Sequence, residues 1–246
     1  MGNDSLALIQ MAIESGKEFI VAYSDTGWAR DDWSERVNKA EKWINDNGGK
    51  LHIIKSEGFE NLVRRKKAFP TNGMAFCSYE LKIEPAMKWL DEIDPDKNAE
   101  CWTGVMRIES NARADWPEVI EESPNHGGRK LFSPMATFTE WQRDELLAKT
   151  PFDKLPHRSA ECWPCVNANK VDIQMVEPER VRFIDDFEKS MGVGVRSGQP
   201  KYMFRSKKHG GAQGFKQVHE RACSGAKHYS PDQEDMFGCD SGFCGM

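Results

Sequence analysis

Two periods of apolar and polar residues run along this chain, and the switches between them divide it into helices and strands. Leu6-Ala7-Leu8-Ile9, with Met11, Ala12 and Ile13, predicts a helix over 5–15 that Gly16 ends. Phe19-Ile20-Val21-Ala22-Tyr23 is an unbroken apolar run of strand type, stopped by Ser24-Asp25-Thr26-Gly27. From about Asp31 to Asp46, Val37, Ala40, Trp43 and Ile44 form the apolar stripe of a charged helix, and Asn47-Gly48-Gly49 closes it. Leu51-His52-Ile53-Ile54 is the next strand. Strand, helix and strand joined by short links predict an α/β fold, a Rossmann-like parallel sheet with helices on both faces.

Further along, the pattern predicts a helix from Phe59 to Lys67 carrying Arg64-Arg65-Lys66-Lys67, then a loop at Pro70-Thr71-Asn72-Gly73. A helix from Tyr79 to Ile93 follows, bent by Pro85. Residues 100–105 read as a short strand, Glu109 to Asp115 as one or two helical turns, and 121–130 as a loop around Pro124 and Gly127-Gly128. An extended piece at 131–134 and helices from Thr139 to Lys149 and from Pro178 to Met191 complete this part. Beyond Gly192 the pattern fades. Residues 196–228 hold eight Lys and Arg, one acid (Glu220), five Gly and little apolar periodicity, which predicts a mobile or ligand-ordered extension. The expected division is therefore a domain over 1–192 and a basic, Gly-rich extension over 193–246.

Composition narrows this picture only in places. A chain of 246 residues suits one sizeable α/β domain, or one domain plus a smaller appendage, and 39% hydrophobic with 30% charged residues is ordinary for a globular protein. No apolar run reaches the length of a membrane span and no leader pattern opens the chain, so the expectation is a cytoplasmic protein with no membrane partner. The net charge of −5 excludes little, and the 8 Trp and 11 Met are expected to fill the core. Seven Cys argue against a disulfide framework in such a chain and leave metal ligands, reactive thiols or plain buried Cys.

Four stretches carry candidate chemistry. Met1-Gly2-Asn3-Asp4-Ser5 is a tight turn feeding a helix N-terminus, where free backbone N–H groups suit an anion, although Asn3-Asp4-Ser5 would equally cap a helix. Asp25-Thr26-Gly27 follows a strand, where ligands of open α/β sheets bind, or forms an Asx-turn that closes the strand. Between Gly104 and Arg113, Arg107 and Arg113 bring two guanidiniums to one loop, suited to phosphate or sulfate, while Glu109 and Arg113 are spaced as a helix surface pair. Cys162-Trp163-Pro164-Cys165 is half of a metal site, with Cys77 as the candidate third ligand; zinc or an iron–sulfur cluster would suit such a set, and a redox dithiol or unliganded thiols are the alternatives.

Taken in order, these stretches resemble the phosphoadenylylsulfate (PAPS) reductase family of the adenine-nucleotide α-hydrolase-like superfamily. Met1-Gly2-Asn3-Asp4-Ser5 is similar to the latter part of that family's nucleotide loop, Ser-Gly-Gly-x-Asp-Ser. Asp25-Thr26-Gly27 matches its Asp-Thr-Gly, and Cys77 with Lys82 and Pro85 matches its Cys followed by a Lys and Pro helix. Gly104, Arg107, Glu109, Ser110 and Arg113 match a Gly-x-Arg-x-Glu-Ser-x-x-Arg segment, here with Met106 and Ile108 interposed. Pro134 to Trp141 approximates a further helix motif, and the Cys-x-x-Cys comes last, so the likeness spans roughly residues 1–175. The resemblance implies that Gly2, Asn3, Asp4 and Ser5 hold phosphates of ATP or an adenylyl sulfate, with Asp25, Thr26, Gly27, Gly104 and Arg107 near the nucleotide. Lys82, Glu109, Ser110 and Arg113 would face the anionic end of nucleotide or substrate. Mg²⁺ is a further candidate ion.

The resemblance also implies sulfur chemistry, of two kinds. A single Cys77 with Cys162 and Cys165 looks like the sulfur-inserting relatives, in which a nucleotide activates the acceptor and a 4Fe-4S cluster hands over sulfur. The basic stretch 196–228 then suits a nucleic-acid partner. Sulfonucleotide reductases instead use a Cys in a C-terminal tail and a thioredoxin-type donor; Cys239 and Cys244 stand in for that Cys here, without the family's Glu-Cys-Gly-Leu-His stretch. A non-catalytic nucleotide- or nucleic-acid-binding relative is the third expectation. The family's first strand has no counterpart in this sequence, which raises the expectation that Met1 is an internal Met of a longer reading frame, or else that the chain is shortened and weakly active.

Overall fold

A computed structural model describes residues 1–71, 73–195, 197–204 and 213–224. Helix α1 (Asn3–Ser15) ends at Gly16, whose left-handed φ of 68° lets its N–H return to the Ile13 carbonyl. Strand β1 (Ile20–Asp25), helix α2 (Trp33–Asp46) and strand β2 (Lys50–Lys55) form a βαβ unit, with β1 and β2 parallel from Ile20 opposite Lys50 to Asp25 opposite Lys55. The stripe read in α2 faces inward: Val37, Ala40 and Ile44 are buried, together with Trp33. Helix α3 (Phe59–Lys66) follows, buried through Phe59, Leu62 and Val63.

The helix expected over 79–93 begins earlier. It comprises α4 (Phe76–Ser78), a π-helical turn (Tyr79–Ile83) and α5 (Glu84–Ile93). Pro85 has no N–H to give to the turn before it, and the π-turn absorbs that loss: the Glu84 N–H reaches back to the Tyr79 carbonyl. The wider turn also places Leu81, Lys82 and Ile83 together inside the molecule.

A second sheet has the order β3-β5-β4. Strand β3 (Cys101–Trp102) is shorter than expected and runs parallel to β5 (Arg129–Phe132). Strand β4 (Val119–Ser123) pairs antiparallel with β5, so the region expected as a loop over 121–130 is a hairpin. Its sequence hides it. Glu121-Glu122 breaks the apolar alternation, the register shifts between Ile120 and Ser123, and Pro124 with Gly127-Gly128 makes the turn, closed by Gly128 N–H to the Ser123 carbonyl at 2.9 Å. The sheet is thus mixed rather than purely parallel, with its antiparallel strand at an edge.

Helix α6 (Glu140–Leu147) opens with a capping box from Thr139 and Gln142 and packs on α1. Helices α7 (Lys170–Gln174), α8 (Pro178–Ser190) and α9 (Phe215–Cys223) pack together. Helix α9 lies within the stretch whose apolar periodicity is slight, yet Phe215, Val218 and Ala222 are fully buried. Its spacing of three and four was hidden among the surrounding Gly and Lys. Glu188 of α8 fastens this segment, accepting the Met203 N–H at 2.7 Å and the Phe215 N–H at 2.8 Å. The main core joins Met1, Leu6, Tyr23, Trp28, Trp33 and Trp163 to these helices. Among the described residues no helix is long and apolar enough to cross a membrane.

Candidate functional site

The N-terminus of α1 lies at the carboxyl ends of β1 and β3, and two glycines allow this. A Cβ on Gly104, just past β3, would come within 3.2 Å of the Asp4 carbonyl oxygen, and one on Gly2 would come within 3.1 Å of Ser159 Cβ. The expected side-chain cap is not formed. Instead, Asn3 pairs with a backbone far along the chain: its Nδ2 donates to the Leu155 carbonyl at 3.0 Å and its Oδ1 accepts the Leu155 N–H at 2.9 Å. Asp4 binds Nη1 of Arg143 at 2.8 Å. Ser5 is buried, and its Oγ has no partner among the described residues; the same is true of Ser110 Oγ and Ser159 Oγ. The first turn of α1 therefore keeps its backbone donors free of side-chain caps, near unpartnered hydroxyls, an arrangement that suits a phosphate or sulfate.

The Asp25-Thr26-Gly27 loop is an Asx-turn, with the Gly27 N–H donating to Asp25 Oδ1 at 2.9 Å. Gly27 has a φ of 62°, and its would-be Cβ lies 3.3 Å from Gly58 Cα, so close approach of the loop before α3 also calls for Gly. The Thr26 hydroxyl points into the protein. It donates to the Glu161 carbonyl at 2.9 Å and lies 3.4 Å from Cys162 Sγ. Trp28 and Cys162 form a parallel bridge, Trp163 N–H donates to the Trp28 carbonyl at 2.8 Å, and Arg30 N–H to the Ala160 carbonyl at 3.0 Å. These bonds lay the Cys-x-x-Cys segment along the continuation of β1. Sequence distance gave no hint of this contact.

At the centre, Lys82 Nζ meets Glu161 Oε1 at 2.5 Å, with both side chains buried. Burial of an ion pair is stable only while both partners remain. The other oxygen, Glu161 Oε2, is buried without a partner among the described residues. Lys82 was expected to face an anion; its ammonium is here engaged by a carboxylate that the sequence reading had not singled out. Burial pushes the Cys162 thiol up to about 11, opposed by the nearby Lys82 ammonium, so this thiol is protonated at neutral pH.

On the β3 side, Arg113 pairs with Glu109, whose Oε2 also accepts the Met106 N–H at 3.1 Å. Burial raises the Glu109 pKa, the Arg113 charge opposes the rise, and the Asp4 charge adds to it. Asp4, Gly104, Glu109, Arg113 and Arg143 thus form one group. Arg107 stands apart from it, donating through Nε to the Trp116 carbonyl at 2.8 Å. Arg143 was missed, although a signal exists: it falls four residues before Leu147 on the inward face of α6, where a cation needs a partner.

The proposed metal ligands are only partly assembled. Cys162 and Cys165 are neighbours in one turn, and Cys77 packs against the same core cluster as Cys162. Among the described residues no three His, Cys, Asp or Glu side chains converge as a metal-holding set. To hold one ion or cluster, the three thiols would have to draw together. Cys239 and Cys244 lie outside the described residues, as do Arg196, Arg205, Lys207, Lys208 and Lys227 of the basic stretch.

A parallel βαβ unit whose strand ends meet an uncapped helix N-terminus, basic residues and buried serines defines an α/β protein with an anion-suited site at its strand ends. Residues 1–155 match the family described as the phosphoadenosine phosphosulfate reductase domain. The chain belongs to that family. It is also 25% identical over 213 residues to an "Uncharacterized 37.8 kDa protein in gpa 5'region" of Escherichia phage 186, a match covering 76% of this chain and 58% of that protein. The chain thus spans less than two thirds of that relative's length. Among solved structures it is similar to the phosphate complex of phosphoadenylyl-sulfate (PAPS) reductase from Candida auris, with 18% identity, a TM-score of 0.46, and coverage of 67% of this chain and 78% of that one.

Proposed function

We propose that this protein is an enzyme of sulfur chemistry that binds an adenine nucleotide, ATP or an adenylyl sulfate, at the N-terminus of α1. Its phosphates or sulfate meet the amides of Gly2–Ser5, while Arg113 and Arg143 balance their charge. Asp25 and Gly27, at the end of β1, border the nucleoside. One observation carries the assignment to sulfur chemistry: the Cys-x-x-Cys turn is fastened to this loop, with Cys162 Sγ 3.4 Å from the Thr26 hydroxyl. A nucleotide at the strand ends would therefore have two thiols beside it.

The protonated state of Cys162 says how such a thiol would be used. Buried against a neutral hydroxyl, it is a poor nucleophile until a neighbouring positive charge is released to it. Lys82 is that charge, held by Glu161. A ligand donor taken by the unpartnered Glu161 Oε2 would weaken the hold on Lys82 and lower the thiol's pKa. Nucleotide-activated sulfur transfer is the reading favoured by this placement. An iron–sulfur cluster on Cys77, Cys162 and Cys165 would supply the sulfur in such a scheme, after rearrangement of the three thiols. A reductase using Cys239 or Cys244 is the second reading, favoured by the family to which the chain belongs.

Calorimetric titration of the anaerobically purified chain with ATP and with PAPS tests the common part. Binding of either, reduced at least tenfold by Arg113→Ala, is the expected result; binding of neither sinks the proposal. Iron and acid-labile sulfide analysis of the same sample, and sulfite release from PAPS by the parent and by Cys239→Ser and Cys244→Ser, then separate the two reactions.

A further inference from the structure

The family match ends at residue 155, and the chain then crosses the start of α1. Both backbone groups of Leu155 are taken by the Asn3 side chain, at 3.0 and 2.9 Å. Further on, the Ala160 carbonyl accepts the Arg30 N–H at 3.0 Å. Residues 155–160 are therefore a strap, tied to α1 at one end and to the continuation of β1 at the other. Arg158 is drawn toward α7: its N–H donates to Asp172 Oδ1 at 3.4 Å and its Nη1 to the Asn167 carbonyl at 2.8 Å. Ser159 instead lies on Gly2. A Cβ on Gly2 would come within 3.1 Å of Ser159 Cβ and 3.6 Å of its Oγ. Gly2 has a φ of −80°, open to any residue, so the nearness of Ser159 is what calls for a bare backbone here.

Ser159 Oγ is buried without a hydrogen-bond partner among the described residues. Alanine would make the same Cβ contact with Gly2, so packing does not account for the hydroxyl. A buried hydroxyl left unmatched is costly, and it persists where a ligand completes it. The groups beside it indicate what that ligand carries. At the start of a helix the first amides reach no carbonyl, and in α1 the Leu6 N–H is the one that closes on Gly2, at 3.1 Å. The amides before it and the Ser159 hydroxyl are all donors. The same turn holds Ser5, 3% exposed, whose Oγ has no partner among the described residues. Donors gathered in this way suit an oxyanion. Arginine supplies only part of the counter-charge, because Arg143 is shared with Asp4 and Arg113 with Glu109. Neutral donors complete the hold.

We propose that Ser159 is a ligand-binding residue: its hydroxyl donates to a tetrahedral oxyanion, a phosphate or sulfate group, held by the amides of Gly2–Ser5. The strap flanks the turn at Gly2, as Gly104 flanks it at Asp4. Anchors at Asn3 and Arg30 fix the hydroxyl before the ligand arrives, so little ordering is needed on binding. The inference rests on the nucleotide reading of this site. It adds a residue from beyond the matched 1–155 and names the part of the ligand that this residue recognises. The strap runs on through Glu161 to Cys162, so one continuous segment meets the oxyanion and carries the thiol.

The test compares the parent chain with Ser159→Ala and Ser159→Thr by thermal unfolding without ligand and by calorimetric titration with ATP and with PAPS. Ser159→Ala removes a hydroxyl that bonds to nothing in the unliganded protein, so its Tm should equal or exceed the parent's. Its affinity for whichever nucleotide the parent binds should fall about tenfold, the worth of one hydrogen bond to a charged group. Ser159→Thr, which keeps the hydroxyl, should stay closer to the parent than Ser159→Ala does. Affinity of Ser159→Ala within about twofold of the parent would overturn the proposal. So would a lowered Tm without ligand, which would make the hydroxyl part of the fold. A parent that binds neither nucleotide marks the failure of the nucleotide reading instead. Inorganic phosphate then decides: the proposal requires it to raise the Tm of the parent more than that of Ser159→Ala, and equal shifts, or none, would sink it.

Discussion

Among the described residues two glutamates are almost fully buried, and they are held in opposite ways. Glu161, 4% exposed, meets the Lys82 ammonium at 2.5 Å. Glu188, 2% exposed, has no cation beside it among the described residues and accepts backbone N–H groups of Met203, Phe204 and Phe215. The first carboxylate is part of a charged pair beside Cys162, at the strand ends. The second, pushed up to about 7 by burial, clasps the C-terminal segment to α8. For Glu188 the cost of burial outweighs the backbone N–H bonds that favour its charged form, so this acid responds to protons near neutrality.

Breaking the charged pair should have the largest effect. Lys82→Met leaves the Glu161 carboxylate buried and uncompensated, and a loss of about 3–5 kcal/mol in denaturant unfolding is expected. Adding Glu161→Leu to Lys82→Met should recover most of that stability while abolishing nucleotide-dependent sulfur chemistry. A loss below about 1 kcal/mol for Lys82→Met alone would place the pair with ordinary surface bridges and end the contrast with Glu188.

For Glu188, the contrast lies in pH. A carboxyl raised from about 4.5 to about 7 keeps its proton in the folded chain after the unfolded chain has lost it, so its contribution to stability falls as pH rises through that window. His126 works the other way. Burial depresses it to about 4, so its effect is to favour the fold as pH rises from 4 to its ordinary 6.5. The diagnostic quantity is therefore the difference between the parent and Glu188→Gln. Unfolding free energies at pH 5 and pH 8 should diverge between the two by on the order of 1–3 kcal/mol. Parallel curves would show that the amides hold Glu188 ionised throughout.

How much of this was legible in the sequence differs between the two places. The βαβ unit was readable because β1, α2 and β2 each carry a strong apolar period with glycines at their ends. Lys82, Gly104 and Arg113 were marked by their motifs. Glu161 was not, since nothing in Ala160-Glu161-Cys162 says that the acid turns inward toward a π-turn 79 residues away. Glu188 was equally hidden: it falls in an acidic, amphipathic helix, and its partners are backbone groups with no side-chain signature. The hairpin of β4 and β5 was lost for a related reason, because main-chain pairing tolerated Glu121-Glu122 on an exposed strand.

The rim of the site gives a smaller effect that grades between the two buried acids. Asp4 and Arg143 meet at 2.8 Å with side chains 26% and 10% exposed, so solvent already screens part of the pair. Arg143→Ala should cost about 1–2 kcal/mol of stability. If Arg143 also faces the phosphates, nucleotide affinity should fall by about tenfold, roughly 1.4 kcal/mol. Unchanged affinity with the stability loss intact would confine Arg143 to holding Asp4 in place.

The smallest effect belongs at the fully solvated limit. Lys88 and Glu84 form an i,i+4 pair at 2.9 Å on α5, with side chains 72% and 40% exposed. Removing it by Lys88→Ala should change stability by at most about 0.5 kcal/mol, with Ala's own helix preference offsetting part of the loss. Measured beside Lys82→Met on the neighbouring turn, it compares two lysine–glutamate pairs that differ chiefly in their access to water. A tenfold ratio of the two energies would make burial, rather than the number of ion pairs, the property that sets the strength of this site. Comparable losses would mean that α5 itself is marginal, and that Lys82 matters through the helix it extends rather than through Glu161.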